Sequence, residues 1–193
     1  FWHRAFIVAP DTPRTDYLIS CGANVEASGG VVGVWRHANA RVRGMKRVQV
    51  EPHLSITGAC SAEWVPIKPK TDAAFLFALM HVLVHEAGRE RLDLPFLVKR
   101  TASPYLVGPN GYYLRDRATK KPLVWDGARG AAVPFDTPGT DEALEGRFEA
   151  DAIEIGPDDA VLAEGLLPGT TAFTLTVDHL KPYSPEWAEA VCE

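Results

Sequence analysis

The alternation of apolar and polar positions divides the first third of the chain into four segments. Tyr17-Leu18-Ile19-Ser20-Cys21 is an apolar run between Asp16 and Gly22 and predicts a buried strand. Residues 22–30 are small and turn-rich, with Gly22 and the Gly29-Gly30 pair at the two ends. From Val31 to Arg43 apolar residues stand at 31, 32, 34, 35, 38 and 42, with basic residues at 36, 41 and 43, the spacing of an amphipathic helix closed by Gly44. Lys46-Arg47-Val48-Gln49-Val50-Glu51 alternates polar with apolar and stops at Pro52, which predicts a second strand with one polar face. Strand, loop, helix and strand in that order form a βαβ unit, the crossover that parallel strands need.

Further along, Trp64-Val65-Pro66-Ile67-Lys68 reads as a short strand or edge segment, since Pro66 cannot serve a central ladder. Thr71 is an N-cap candidate, and Asp72 suits the first turn of a helix. Ala73 to Glu86 is apolar nearly all round, so a deeply buried helix is expected there, ended by Gly88. Tyr112–Arg115 and Pro122–Trp125 flank a charged turn and predict a hairpin. The glycine- and proline-rich stretch from 126 to 171 suggests short strands at best. Ala172–Leu180 fits a helix, and Ser184 with Pro185 offers an N-cap and first position for another. The fold class expected is α/β: a Rossmann-like βαβ parallel sheet with an irregular, hairpin-containing insertion.

Composition adds limits. With 193 residues, 46% hydrophobic and 23% charged, the chain has the balance of an ordinary globular domain or slightly more than one. Its longest apolar stretch, Ala73 to Val84, is twelve residues interrupted by His81, too short for a span of about 20. Cys21, Cys60 and Cys192 are an odd, widely spaced set without a CxxC, so a disulfide scaffold or a metal cluster is not indicated. The net charge of −5 is uneven: residues 1–50 carry +4 and residues 151–193 carry −8. A weak basic bias at the front suits an anionic ligand such as a pyrophosphate and is too weak for nucleic acid. The chain opens on Phe1-Trp2-His3-Arg4 without an initiator methionine and reads as a piece of a longer polypeptide, any targeting signal lying upstream.

The candidate chemistry gathers at strand ends. A turn-rich loop between a strand and a helix is where open α/β sheets bind ligands, through backbone N–H groups and the helix dipole. Here Gly22, Ala23, Asn24, Glu26 and Ser28 would line it, although the pattern is not GxGxxG. On spacing alone, a phosphate loop and an unliganded loop fit equally well. Glu51 stands 21 residues beyond Gly30, the interval at which an acid meets ribose hydroxyls in nucleotide-binding units. A solvated carboxylate at a strand end is the plainer reading. His53 suits a phosphate or base, or simply an exposed position. Asp72 matches the paired donors of a guanine edge, and equally a helix first turn. His81 and His85 make HxxxH rather than HExxH and read as core or boundary histidines.

Three ordered segments carry a resemblance. These are Asp16-Tyr17-Leu18-Ile19-Ser20-Cys21-Gly22-Ala23-Asn24-Val25-Glu26, then Val50-Glu51-Pro52-His53, then the run from Ala62 through Pro69-Lys70-Thr71-Asp72 to Ala74. Together with the closing Tyr183-Ser184-Pro185-Glu186-Trp187-Ala188, they resemble the molybdopterin oxidoreductase family of the dimethyl sulfoxide reductase type. Three positions depart from that pattern. Glu51 and His53 replace the Asp and Arg of V-D-P-R, and Lys70 replaces the Gly of P-G-T-D.

The resemblance implies an oxidoreductase catalytic subunit of which this chain is a fragment, unable to turn over alone. Its implied cofactor is molybdenum bis(molybdopterin guanine dinucleotide). The implied cofactor-binding residues are Gly22, Ala23, Asn24, Glu26, Ser28, Glu51, Pro52, His53, Lys70, Thr71 and Asp72, with no catalytic residue and no metal ligand among them. A 4Fe–4S cluster is expected in the part preceding this chain. The implied partners are the rest of the catalytic subunit together with an iron–sulfur electron-transfer subunit, without nucleic acid or direct membrane insertion. Residues 1–100 would then be the first part of the dinucleotide-binding α/β domain, 101–171 an insertion, and 172–193 closing helices leading to the next segment. The alternative is a stand-alone Rossmann-like nucleotide-binding module or an NAD-dependent dehydrogenase, against which the missing GxGxxG weighs.

Overall fold

Strand β1 (Tyr17–Cys21) and strand β2 (Lys46–Glu51) are parallel neighbours, running from Tyr17 opposite Lys46 to Cys21 opposite Val50. A computed structural model describes residues 10–193, and all that follows concerns those residues. The first nine residues of the expected 1–100 domain lie outside them. Between the two strands lie a single turn of helix, α1 (Val25–Ser28), and the long helix α2 (Gly30–Arg43). Gly44 ends α2 at φ +112°, donating its N–H to the Ala40 and Arg41 carbonyls. Only a residue without a Cβ takes that left-handed cap without cost. The chain then makes the short α3 (Ile56–Ala59), the strand β3 (Glu63–Pro66) and the helix α4 (Asp72–His81). β3 pairs parallel with β2, from Val48 opposite Glu63 to Glu51 opposite Pro66, giving the order β1-β2-β3. Pro66 therefore sits on an edge strand, as its missing N–H requires.

The second part contains α5 (Leu94–Arg100) and strands β4 (Leu106–Val107), β5 (Leu114–Arg115), β6 (Leu123–Asp126), β7 (Ala131–Pro134), β8 (Arg147–Ile155) and β9 (Val161–Thr171). Helices α6 (Ala172–Leu180) and α7 (Pro185–Cys192) follow. One antiparallel sheet has the order β4-β9-β8-β5, and β6 pairs with β7 in a separate ribbon. The chain divides into two compact units, one comprising residues up to Leu76 with Glu186–Glu193, the other Phe77–Pro185.

In the first unit Val48, Val50 and Ile67 are buried, with Val65, Phe75 and Cys192 packed on them. In the second, Leu106, Leu114, Leu123, Ala150 and Ala152 form the core, and the Trp125 and Phe148 rings stack against it 4.4 Å apart. Each fully buried aliphatic side chain contributes roughly 1.5–3 kcal/mol. Glu154 is buried there too, accepting the N–H groups of Asn110 and Tyr112, each at 3.0 Å.

The α/β class and the parallel βαβ sheet are as the hydrophobic spacing predicts. Four local expectations are corrected. β1 is not buried: it is an edge strand, with Tyr17 and Ile19 exposed. The helix after Asp72 is not deeply buried, for Leu76, Met80 and Leu83 are exposed, and its last turn, Val82–Glu86, widens to π geometry. There the ring N–H groups of His81 and His85 donate to the Leu180 and Val177 carbonyls, each at 2.9 Å. The expected hairpin survives only as an isolated bridge between Arg115 and Pro122, because β5 pairs with β8 and β6 with β7. Finally, residues 147–171 hold the two longest strands, not short ones.

Candidate functional site

Because β1, β2 and β3 are parallel and nearly flush, their carboxyl ends open on one rim of the sheet. The first corner runs from Gly22 into α1, the second from Pro52 into α3, and the third from Ile67 into α4. The Gly22 N–H donates to the Val50 carbonyl at 2.9 Å, extending the ladder one step beyond β1. Gly22 has φ +66°, and no atom lies within 4 Å of where a Cβ would stand, so the first corner is open above its backbone. The N–H groups of Ala23, Asn24 and Val25 make no hydrogen bond among the described residues. These donors begin the first corner, where a short helix starts.

Beneath the rim, the polar face of β2 is buried. The alternation puts Arg47, Gln49 and Glu51 on one polar face, yet their exposures are 1%, 0% and 3%. The cause is a cover of polar groups from the two corners above. Arg47 pairs with the Glu26 carboxylate at 2.7 Å, donates to the Ser61 hydroxyl and the Thr57 carbonyl at 2.8 Å each, and lies 3.1 Å from His37 Nδ1. Arg47 has only hydrogens to give, so His37 Nδ1 accepts and its proton sits on Nε2. Gln49 spans the first two corners, donating to the Ala23 carbonyl at 3.2 Å and to Glu51 Oε2 at 2.9 Å. Glu51 Oε1 accepts the Ser55 N–H at 2.7 Å. The Thr57 hydroxyl donates to Asn24 Oδ1 at 2.9 Å and accepts the Glu26 N–H at 3.1 Å, tying α1 to α3. Ser55 caps α3 by accepting the Gly58 N–H.

These contacts set the electrostatics. Burial works to raise the Glu26 carboxyl, but the Arg47 guanidinium 2.7 Å away outweighs it and holds it below the usual carboxylate range. Burial likewise opposes ionisation of Glu51, and the Ser55 and Gln49 donors with nearby His53 override it. Burial, and then the Arg47 charge, push the His37 imidazole below its ordinary value. The Cys21 thiol, at the end of β1, is pushed up by burial and by the Asp72 carboxylate.

The expected site residues thus separate into two groups. Glu26, Glu51 and the Asn24 side chain face inward and hold the corners in place. Gly22, Ala23, Ser28, Pro52, His53, Lys70 and Asp72 are exposed at the rim or beside it, and Thr71 is half-buried with its hydroxyl on the Lys68 carbonyl at 2.7 Å. Ser28 turns its hydroxyl back to the Asn24 carbonyl at 2.9 Å. Lys70 has φ +73°, a left-handed backbone carried by a residue with a side chain. Arg47, Gln49, Ser55 and Thr57 were missed by sequence reasoning; the only signal for them was a run of hydrogen-bonding residues on alternate positions of one strand and in the loop after it. Among the described residues no group of three or more His, Cys, Asp or Glu is arranged to hold a metal ion. Among the described residues no helix is long and apolar enough to cross a membrane.

No family model matches the chain. Among curated proteins it is 30% identical over 163 residues to a sulfite dehydrogenase subunit of Allochromatium vinosum, covering 77% of this chain and 15% of that one. It is 35% identical over 95 residues to the thiosulfate reductase molybdopterin-containing subunit PhsA of Salmonella typhimurium, covering 49% and 12%. It is 38% identical over 94 residues to dimethyl sulfoxide reductase DmsA of Haemophilus influenzae, covering 46% and 11%. The chain thus spans at most 15% of the length of these relatives.

Proposed function

This chain belongs to the molybdopterin oxidoreductase family, dimethyl sulfoxide reductase type, and from that premise we propose that its parallel-sheet rim holds the guanine dinucleotide tail of a molybdopterin cofactor. The observation that carries the reading is the opening of three corners, Gly22 into α1, Pro52 into α3 and Ile67 into α4, at the carboxyl ends of three adjacent parallel strands. Ligands in open α/β sheets sit outside the carboxyl ends of the strands, and these corners lie there.

The residues present fit such a tail. A pyrophosphate needs converging donors and little steric cover. The unengaged N–H groups of Ala23, Asn24 and Val25 and the open space above Gly22 supply both. His53 is an exposed neighbour of the ribose position, and the Asp72 carboxylate offers two acceptors matched to the adjacent donors of a guanine edge. Glu26, Glu51, Gln49 and Thr57 act as positioning residues. They hold the corners at fixed spacing, so the donors need not be organised when the ligand arrives.

When bound, a cofactor of this class supplies two-electron chemistry at molybdenum, and the chain's own residues bind and orient it. The parent protein is proposed to be an oxidoreductase catalytic subunit carrying molybdenum bis(molybdopterin guanine dinucleotide) and a 4Fe–4S cluster, working with an iron–sulfur electron-transfer subunit. The test replaces Asp72 with Ala in the intact catalytic subunit, with guanine and molybdenum measured per polypeptide. Both are expected to fall. Occupancy equal to that of the unmodified protein would refute the guanine role of Asp72.

A further inference from the structure

We infer that the free edge of β1 is a docking surface for a further β-strand, supplied by the part of the parent catalytic subunit that lies outside this chain. The inference rests on the reading of the chain as part of a longer subunit and is independent of what the rim binds. At the two ends of the β1–β2 ladder, the Asp16 carbonyl accepts the Lys46 N–H and the Gly22 N–H donates to the Val50 carbonyl, each at 2.9 Å. Successive residues of a strand turn their backbone groups to opposite sides. Residues 16, 18, 20 and 22 therefore face β2, and Tyr17, Ile19 and Cys21 turn their N–H and C=O groups away from it. None of these outward groups makes a hydrogen bond among the described residues. The side chains of Tyr17 and Ile19 share one face of the strand and are exposed as well.

A bare edge of this kind is a template for pairing, and edges that stay free carry charges, proline or bulges. β3, at the opposite edge of the same sheet, contains Glu63 and Pro66. β1 contains no charge and no proline, and its register with β2 is unbroken. The helix that follows β1 is open in the same way. Val31, Trp35 and Val42 fall on one stripe of α2 and are 87%, 63% and 89% exposed. A strand that joins a parallel sheet arrives through a crossover, usually a helix, and that helix needs an apolar surface to lie against. A lone peptide on β1 would leave the α2 stripe bare. A second copy would have to repay the freedom lost on association, whereas a segment of the same polypeptide is already tethered. A strand of the parent subunit with its crossover helix covers both surfaces at once. The parent has the length to supply it, since this chain spans at most 15% of the relatives it matches.

The test uses the intact catalytic subunit. Amide hydrogen exchange is resolved residue by residue across 17–22, and in a second sample Tyr17 is replaced by photoreactive p-benzoylphenylalanine and irradiated. The Tyr17, Ile19 and Cys21 amides are expected to exchange at least about a hundredfold more slowly than in an unstructured peptide. The cross-linked product is expected at the mass of one subunit, joining position 17 to a segment outside these 193 residues. Outward amides that exchange at the unstructured rate beside protected amides at Leu18, Ser20 and Gly22 overturn the inference. So does a cross-link to a second copy, to another protein or to a residue within the 193, or no product at all. Guanine per polypeptide is measured on the same samples, so an unprotected edge at normal guanine content refutes this inference and leaves the rim reading standing.

Discussion

Replacing Glu26 with Gln tests the buried polar face of β2 most directly. The substitution keeps the size of the side chain and removes only its charge. Arg47 and Glu26 have side-chain exposures of 0% and 7%, so water cannot take over the lost interaction. Breaking a buried pair by removing one partner typically costs 3–5 kcal/mol, because the remaining charge stays desolvated. Here Arg47 keeps the Ser61 hydroxyl, the Thr57 carbonyl and His37 Nδ1 as acceptors, which places the cost at the lower end, about 3 kcal/mol. Urea denaturation followed by tryptophan fluorescence, with Trp35 and Trp64 reporting on the first unit, should show the midpoint falling at unchanged slope. The double substitution Glu26→Leu with Arg47→Met should recover most of that loss, since an apolar pair of similar volume leaves no charge behind. A loss below about 1 kcal/mol for Glu26→Gln is the size of an exposed pair and would refute the claim that the pair is desolvated.

Other expectations follow from the same contacts. His37, Glu26 and Glu51 all have imidazole or carboxyl values held below their ordinary 6.5, 4.5 and 4.5. In each case the unfolded chain takes up the proton first, so stability is present at neutral pH and is lost as pH falls. The loss should begin below 6.5 through His37 and steepen below 4.5 through the two acids; a urea midpoint that stays constant from about pH 7 to about pH 4 would contradict the assigned contacts. Gly44→Ala should cost about 1 kcal/mol by forcing a Cβ onto a φ of +112°, readable as a lower melting temperature. Glu154→Gln should destabilise the second unit by about 2 kcal/mol, because the amide oxygen can keep the N–H groups of Asn110 and Tyr112 only by turning its NH2 toward the Asn110 side-chain NH2, which the carboxylate accepted, and the charge that strengthened all three bonds is gone. Loss of Trp125 fluorescence at lower urea is its signature, and an unchanged midpoint would show that these donors find other acceptors.

What the sequence made legible depends on whether a segment's environment is local. The strand Tyr17–Cys21, the strand Lys46–Glu51 and the helix Ala172–Leu180 are found where their patterns place them, and Gly44 ends α2 as its position suggests. Residues 161–171 were obscured by Gly165, Pro168 and Gly169, which read as turn residues. β9 accommodates them because Gly169 lies against Leu114 and Leu106, where a Cβ would collide at 2.8 Å. The hairpin failed for a different reason: the turn chemistry at 116–121 is genuine, but β5 is taken by β8 far along the chain and β6 by its immediate neighbour β7. At the rim, residue types at strand ends were legible and their directions were not. An acid such as Glu51 looks the same in sequence whether it faces a ligand or receives the Ser55 N–H beneath one.

That difference in direction decides what a ligand at the rim would meet. If Glu26 and Glu51 faced outward, two carboxylates would stand beside the open N–H groups of Ala23, Asn24 and Val25, and an anion there would be repelled. Facing inward, they are matched by Arg47, Ser55 and Gln49, and their negative charge goes into holding the corners. The rim is left with Lys68, Lys70 and His53 as cationic or cation-capable groups and Asp72 as its exposed acid at the third corner. Under the proposed function this division has chemical sense, since phosphates need donors and positive charge whereas a guanine edge needs an acceptor pair. It also ranks the effects of substitution. Glu51→Gln should disturb the second corner, lowering stability and GDP affinity together, whereas Asp72→Asn should lower GDP affinity with the melting temperature unchanged. Equal loss of stability in both variants would show that Asp72 is as structural as Glu51 and that the division drawn between the inner and outer acids is wrong.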